Sequence, residues 1–194
     1  MMINKVALAT VLLMSLLVVV LGLQKKELQA ENATLVREQG YPRMSDWIPE
    51  MQRKAIDGRD VRIGQTEGGR QIILLFTTKC VHCIASLPFI KEIARRAQEA
   101  DVEMIGVTPE DNVAEIAKFM AEHSLSFPVV SIQDNKELGL LHFRLSPTLL
   151  VLSRYGRVEH VKVGRITSDE DAFGIVTAAR EKDLRGTSKS EDET

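Results

Sequence analysis

The stretch FTTKCVHCIASLPFI, residues 76–90, decides the fold because it joins a buried strand to a helix through two cysteines. The run QIILLF, residues 71–76, is continuously apolar, which is typical of a strand buried on both faces of a sheet. After Cys83 the apolar residues recur at helical spacing and charged residues occupy the other positions, which predicts an amphipathic helix. Cys80 and Cys83 are therefore predicted to lie at a strand-to-helix junction.

This junction favours a reactive thiol at Cys80. The unpaired N–H groups and the dipole at a helix N-terminus stabilise a negative charge on sulfur, and the thiolate is the nucleophile. Cys83 is close enough along the helix to form a disulfide with Cys80, so it can resolve any mixed disulfide that Cys80 forms. A structural disulfide or two ordinary buried thiols are the less favoured alternatives, because closing so short a loop removes almost no conformational entropy from the unfolded chain.

Two residues beside the cysteines are interpreted as redox-tuning residues. Lys79 and His82 add positive charge or hydrogen-bonding capacity near Cys80, which stabilises a thiolate. For His82 the alternative, an exposed side chain at the helix start with no effect on sulfur, remains open.

Composition excludes several other classes of protein. The 194 residues, 44% hydrophobic and 27% charged, are enough for one sizeable domain with appendages. With 25 basic and 27 acidic side chains the formal net charge is −2, so we expect no nucleic-acid partner. Two cysteines cannot form a multi-disulfide scaffold or a four-cysteine zinc site, and we expect no metal.

The N-terminal run VALATVLLMSLLVVVLGL, residues 6–23, is an uncharged segment of 18 residues and predicts a transmembrane helix. It is followed by QKKELQAENA instead of a clear cleavage site, which favours an uncleaved anchor over the alternative of a cleaved signal peptide. We therefore expect a single-pass protein of the bacterial inner membrane. Its C-terminal domain would lie on the periplasmic or extracytoplasmic side.

The remaining chain divides by composition and pattern. The predicted segments are a membrane anchor (1–24), a helical stalk and linker (25–56), a folded domain (57–184) and a disordered polar tail (185–194). Residues 41–60 show no clear periodicity. Within the domain, strand and helix patterns alternate and then give a hairpin and a closing helix, which predicts an α/β fold with a mixed sheet covered on both faces. One of its helices is predicted to begin near Pro109-Glu110 and to end by His123.

The order of motifs resembles a known family. A strand, Cys-X-X-Cys, a helix containing Pro88 and, much later, SPTLLVLSRYGRV (146–158) are similar to the thioredoxin fold of TlpA/ResA-like membrane-anchored thiol-disulfide oxidoreductases. The resemblance implies a mixed central sheet flanked by helices. It also implies that Pro147 is cis and lies against the cysteine pair, which would present the Ser146 backbone to a substrate strand.

The resemblance implies an activity and partners as well. The chain would exchange disulfides with exported protein thiols or disulfides, with apocytochromes as one candidate class, and a membrane redox partner would recycle the pair. No cofactor is expected besides the redox-active disulfide Cys80–Cys83.

The sequence departs from the family pattern around the cysteines. Lys79 replaces the usual tryptophan, and Val81-His82 replaces Gly-Pro or Glu-Pro. Ser86 and Leu74 stand where relatives and thioredoxins carry acidic residues. A histidine just before the second cysteine is a feature of oxidising relatives such as DsbA and protein disulfide isomerase, so the direction of electron flow stays open.

Two other functions fit parts of the sequence. Residues 77–80 fit the T-x-x-C motif of a peroxiredoxin-like thiol peroxidase, although Val81 replaces the expected proline; consumption of hydrogen peroxide would identify this activity. Cys80, Cys83 and a histidine such as His142 could instead bind copper in a carrier protein. Copper-carrying relatives space their cysteines by three residues, and copper titration would test this alternative.

Overall fold

A computed structural model describes residues 40–64, 66 and 69–180, together with a few positions between 14 and 25. The predicted tail and most of the predicted anchor and stalk lie outside the described residues. In the part of the chain that is described, no helix combines the length and the apolar character that crossing a membrane requires. By its internal contacts the chain divides into two units, residues 1–41 and residues 42–194.

The second unit contains the predicted alternation of strands and helices. Its described strands are β1 (Met51–Lys54), β2 (Asp60–Ile63), β3 (Gln71–Leu75), β4 (Glu103–Thr108), β5 (Val129–Ser131), β6 (Thr148–Leu152) and β7 (Val158–Val163). Its described helices are α1 (Val81–Glu99), α2 (Val113–Glu122), α3 (Asn135–Leu140) and α4 (Asp169–Arg180).

The central sheet is mixed, as predicted. Its five strands have the order β5-β4-β3-β6-β7; β3 pairs in parallel with β4, and β4 with β5. Strand β6 is antiparallel to both β3 and β7. Strands β1 and β2 form a separate antiparallel pair. Two hydrophobic clusters occupy the two faces of the sheet, which explains why β3 is apolar throughout.

Alternate side chains of β3 supply the two clusters, since successive residues of a strand point to opposite faces. Ile72 and Leu74 pack into the cluster formed with α1, α2 and α4. Ile73 and Leu75 pack into the cluster formed with β1, β2 and the segment around Leu141. All four β3 side chains are at most 1% exposed, so the strand has no solvent-facing side.

Two features differ from the sequence-based expectation. Strand β1 was not predicted, because its sequence MQRK is mostly polar and shows no apolar run or alternation, and it lies in a stretch assigned to the linker. Helix α2 begins at Val113 and not near Pro109-Glu110. Its N-cap is Asn112, whose side chain accepts a hydrogen bond from the backbone N–H of Glu115.

The register of the sheet brings three chain segments to one edge. Leu75, at the end of β3, pairs with Val107 near the end of β4 and with Thr148 at the start of β6. The residues that follow β3, those that follow β4 and those that precede β6 therefore meet at this edge. The cysteine pair lies there.

Candidate active site

Cys80 lies between strand β3 and helix α1, as predicted. The backbone N–H of Cys80 donates to the Thr77 carbonyl (3.3 Å), which closes a turn, and its own carbonyl accepts the N–H of Ile84 (3.0 Å) as the helix begins. Cys80 is thus the N-cap of α1, and its sulfur accepts the backbone N–H of Cys83 at 3.2 Å. The first turn of α1 contains no acidic residue that would oppose a thiolate.

The surroundings of Cys80 favour its thiolate. Burial acts to raise the pKa of the thiol, whereas side-chain hydrogen bonds with Cys83 and Ser146 lower it. The backbone N–H groups of Cys83 and His82 lower it further, and the resulting pKa lies below the ordinary value. The thiolate fraction of Cys80 at neutral pH is therefore larger than that of a free cysteine.

Cys83 lies in a different environment. It is 1% exposed, and burial followed by its hydrogen bond to Cys80 raises its pKa to about 12, although the Thr77 backbone N–H lowers it in part. Both cysteines are free thiols in this structure, and Cys80 is the more accessible one. The pair therefore consists of a partly exposed nucleophile and a buried thiol that stays protonated at neutral pH.

The segment before β6 contacts the pair. The Ser146–Pro147 peptide bond is cis, as the family resemblance implied. The thiol of Cys80 donates to the Ser146 carbonyl at 3.3 Å, so the backbone of this segment lies beside the nucleophile. The Pro147 carbonyl accepts the N–H of Gly164 (2.8 Å), which ties the segment to the end of β7.

The two predicted tuning residues, Lys79 and His82, are close to Cys80 in sequence. The side chain of Lys79 pairs with Glu115, and that of His82 is exposed to solvent. The ammonium of Lys79 is 3.2 Å from the carboxylate of Glu115, and its side chain is 76% exposed. The side chain of His82 is exposed, and it is the His82 backbone that lowers the pKa of Cys80. A tuning role for either side chain stays a prediction.

The two positions that lack the family acids are buried. Ser86 is 0% exposed; its hydroxyl donates to the His82 carbonyl (2.7 Å) and accepts the backbone N–H of Ile166 (3.0 Å). Leu74 is 1% exposed and packs within the hydrophobic cluster formed with α1, α2 and α4. Neither position supplies a carboxylate to Cys83.

Sequence reasoning missed one residue of this site, Glu110. Its carboxylate accepts the backbone N–H of Thr78, at 3.0 and 3.2 Å from its two oxygens, and the Thr78 hydroxyl at 2.8 Å. A signal was present, because a carboxylate that directly follows a buried strand meets the segments after neighbouring parallel strands. The sequence instead favoured a helix start there, since Pro109, Glu110 and Asp111 resemble a first turn.

The candidate copper ligand is engaged elsewhere. Nε2 of His142 lies 3.4 Å from a carboxylate oxygen of Asp46, and the residue has a positive φ of 51° just after α3. Among the residues described, no group of three or more histidine, cysteine or acidic side chains is arranged to hold a metal ion.

The family model Redoxin matches residues 43–176, more than half of the chain. The chain belongs to the Redoxin family. The matched span includes the cysteine pair, Glu110 and the Ser146–Pro147 segment.

Curated relatives support a more specific assignment. The chain is 25% identical over 131 residues to thiol-disulfide oxidoreductase ResA of Oceanobacillus iheyensis, an alignment that covers 66% of this chain and 68% of the relative. It is 25% identical over 120 residues to sporulation thiol-disulfide oxidoreductase A of Bacillus subtilis, covering 60% of this chain and 72% of that relative. The predicted resemblance to TlpA/ResA-like proteins is confirmed, and the chain is an oxidoreductase of the thiol-disulfide class.

Solved structures confirm the thioredoxin fold. The crystal structure of StoA from Bacillus subtilis superposes with a TM-score of 0.58 at 23% identity, covering 69% of this chain and 98% of that one. The predicted α/β core with a mixed central sheet is thereby confirmed.

Proposed function

We propose that this Redoxin-family chain is a membrane-anchored thiol-disulfide oxidoreductase that exchanges disulfides with exported proteins through Cys80-Val81-His82-Cys83. The observation that carries the proposal is the asymmetry of the pair at the start of α1. The Cys80 sulfur accepts the Cys83 backbone N–H and has a lowered pKa, while Cys83 is buried and has a raised pKa. One cysteine is suited to attack and the other to resolve.

In the reducing direction the Cys80 thiolate attacks one sulfur of a substrate disulfide. A bond forms between Cys80 and that sulfur, the substrate S–S bond breaks, and the other substrate sulfur leaves as a thiolate that takes a proton. Cys83 then loses its proton and attacks the Cys80 sulfur, forming Cys80–Cys83 and releasing the second substrate thiolate. An electron pair passes from the protein dithiol to the substrate, and oxidation of a substrate dithiol is the reverse sequence.

Protein substrates fit the surface around Cys80. Val81 and Ile84 in the first turn of α1 are 75% and 44% exposed, and Leu145 beside Ser146 is 46% exposed. Exposed apolar side chains that surround a reactive group mark an interaction surface. The Ser146 backbone lies in this surface and would pair with an extended substrate segment. The hydrogen bond from the Cys80 thiol to the Ser146 carbonyl would then break as the thiol ionises, which frees the carbonyl for the substrate.

The location and the partners complete the proposal. The apolar segment 6–23 anchors the chain in the bacterial inner membrane, with the folded unit on the extracytoplasmic side, where protein disulfides form. Exported proteins, with apocytochromes as one candidate class, are the substrates. A membrane protein with its own dithiol or disulfide recycles the pair, and no cofactor is needed beyond the Cys80–Cys83 disulfide.

Trapping of mixed disulfides tests the roles of the two cysteines. Cys83→Ser keeps the nucleophile but removes the thiol that resolves the adduct, so covalent adducts with partner proteins should accumulate. Cys80→Ser should accumulate at least about tenfold less of these adducts, because a buried Cys83 with a raised pKa is a poor nucleophile. Non-reducing gels of cells carrying each variant would show the adducts as bands that disappear on reduction.

The double variant, Cys80→Ser with Cys83→Ser, is the matched control for adducts that involve neither cysteine. Equal trapping by the two single variants would contradict the assignment of roles. Absence of adducts with either folded variant would contradict the proposed activity.

A further inference from the structure

The carboxylate of Glu110 collects donors from two segments at the active-site edge. Both oxygens accept the Thr78 N–H (3.0 and 3.2 Å), one accepts the Thr78 hydroxyl (2.8 Å), and the other accepts the Thr108 hydroxyl (3.1 Å). Thr78 and Thr108 are 7% and 0% exposed. Hydrogen bonds to a charged acceptor in such surroundings are stronger than those between neutral groups. Glu110 therefore links the end of β4 to the turn before Cys80.

Glu110 is itself held in place by the sheet. It follows β4 by two residues, and its carbonyl accepts the hydroxyl of Ser131, the last residue of β5, at 2.5 Å. Its backbone N–H approaches the Thr108 hydroxyl at 3.4 Å. A carboxylate supported by two neighbouring strands can hold the turn that it contacts.

The turn held by Glu110 leads directly into Cys80. The peptide unit that carries the Thr78 N–H also carries the Thr77 carbonyl, and the two groups point in opposite directions because the unit is planar. Fixing the N–H on Glu110 therefore directs the carbonyl, which accepts the N–H of Cys80 at 3.3 Å. The backbone of Thr77 also lowers the pKa of Cys83 in part.

We propose that Glu110 is a positioning residue for the cysteine pair, which holds the Thr77–Thr78 turn so that the Thr77 carbonyl receives the N–H of Cys80. The inference rests on the proposed disulfide exchange. The role of Glu110 adds to that proposed function a residue that supports the resolving step. Ser86 and Leu74 supply no carboxylate for this step. In that step Cys83 loses its proton, and an N–H that donates to its sulfur stabilises the thiolate.

Other charged side chains near this turn do not substitute for Glu110. Lys79 and Glu115 pair with one another at 3.2 Å, and the His82 side chain is exposed. Asp111 follows Glu110 but is exposed. Of the described residues, Glu110 is the acidic one that is bonded to the backbone of Thr78.

The kinetic test uses the reduced full-length protein and a disulfide-containing peptide, with attack and release followed separately by acid quenching. Glu110→Ala should slow the release of the mixed disulfide by about three- to tenfold, because the turn whose Thr77 backbone lowers the pKa of Cys83 is no longer held. The attack by Cys80 should stay within about twofold of wild type, since its main donors belong to α1. Glu110→Gln keeps one acceptor oxygen and should restore part of the release rate.

Glu122→Gln is the matched control, because it removes a carboxylate whose ion pair with Lys118 (3.6 Å) is exposed at the end of α2. It should change neither rate. Release by Glu110→Ala at the wild-type rate would overturn the proposal. Equal slowing of attack and release, with a lower melting temperature, would also overturn it by showing a general structural role.

Amide hydrogen exchange gives a readout that does not depend on the proposed activity. The Thr78 amide should exchange at least about tenfold faster in Glu110→Ala, while the Ile84 amide within α1 keeps its wild-type rate. An unchanged exchange rate of the Thr78 amide would show that Glu110 does not hold the turn and would overturn the proposal. Failure of the reduced wild-type protein to reduce the peptide disulfide would instead overturn the proposed function, so the two failures are distinguishable.

Discussion

At the scale of single residues, the two cysteines differ although two residues separate them. Cys80 is the N-cap of α1 and receives N–H groups, so its pKa falls, while burial raises the pKa of Cys83 to about 12. The fold therefore stabilises the thiolate of one and the thiol of the other. The difference comes from position along the helix, because only the N-cap sulfur faces the unpaired backbone donors.

Alkylation of the reduced protein as a function of pH tests this difference. The midpoint of the pH dependence of Cys80 alkylation should lie below that of the denatured protein, whereas Cys83 should stay protected across the neutral range. In denaturant both cysteines should titrate near the free value, because the helix donors and the burial are lost. Mass spectrometry of the modified peptides assigns each midpoint. A folded-state midpoint for Cys80 at or above that of the denatured protein would contradict the expectation.

A second alkylation series addresses the imidazole of His82. Because the side chain of His82 is exposed and its backbone is what lowers the pKa of Cys80, His82→Ala should move the Cys80 midpoint by no more than about 0.3 pH unit. Lys79→Ala, which removes the partner of Glu115, is the matched variant on the other side of Cys80. A larger shift in His82→Ala would show that the imidazole tunes the thiolate.

At the scale of secondary-structure elements, Ser86 connects α1 to the segment after β7. Its hydroxyl accepts the N–H of Ile166 at 3.0 Å, and both residues are 0% exposed. This contact stands at the position where the family resemblance implied a glutamate. The helix that carries Cys83 is thus attached to the segment leading to α4 by a neutral hydrogen bond.

Ser86→Ala should lower the free energy of unfolding by about 1–3 kcal/mol, because the N–H of Ile166 then stays buried without an acceptor. Urea denaturation followed by circular dichroism measures the change. Ser126→Ala, at an exposed serine before β5, is the control and should stay within about 0.5 kcal/mol of wild type. A stability equal to wild type in Ser86→Ala would show that another acceptor reaches Ile166.

At the scale of the whole molecule, the site is formed by the segments that meet at one edge of the mixed sheet. The ends of the parallel strands β3 and β4 and the start of the antiparallel strand β6 meet there, and each supplies one segment to the site. Thr77–Cys80 follows β3, Glu110 follows β4, and Ser146–Pro147 precedes β6. The sheet therefore holds three distant parts of the chain together, while helices and the β1–β2 pair cover its faces.

The full-length chain is expected to fractionate with membranes, and a reporter fused after Thr194 is expected to be active only outside the cytoplasm. The physical reason is the uncharged apolar segment 6–23. Leu13→Arg combined with Leu17→Arg is the control: each arginine costs about 2.5–3.5 kcal/mol at the centre of a membrane helix, so membrane association should be lost. Recovery of the unaltered chain as a soluble, shortened periplasmic form would contradict the anchor.

Much of the fold and the centre of the site could be predicted from local patterns. The apolar run of β3, the helical spacing after Cys83 and the Cys-X-X-Cys pair each depend on residues that are neighbours in sequence, so their periodicity and chemistry are visible without coordinates. The family resemblance added the cis peptide at Pro147. The same local reasoning placed the helix start at Glu110 instead of Val113, because an acidic turn after proline resembles a helix N-terminus whether or not a helix follows.

The sequence by itself determined the fold class, the reactive pair and its position at a helix start. Only the tertiary structure decided which residues support the pair. Glu110 lies 32 positions from Thr78, and Ile166 lies 80 positions from Ser86, yet each pair forms a hydrogen bond. Such contacts depend on strand order and register, which follow from how the whole core packs and leave no period in the chain. The pairing of β1 with β2 could not be predicted either, because it too depends on how the core packs and leaves no period in the sequence.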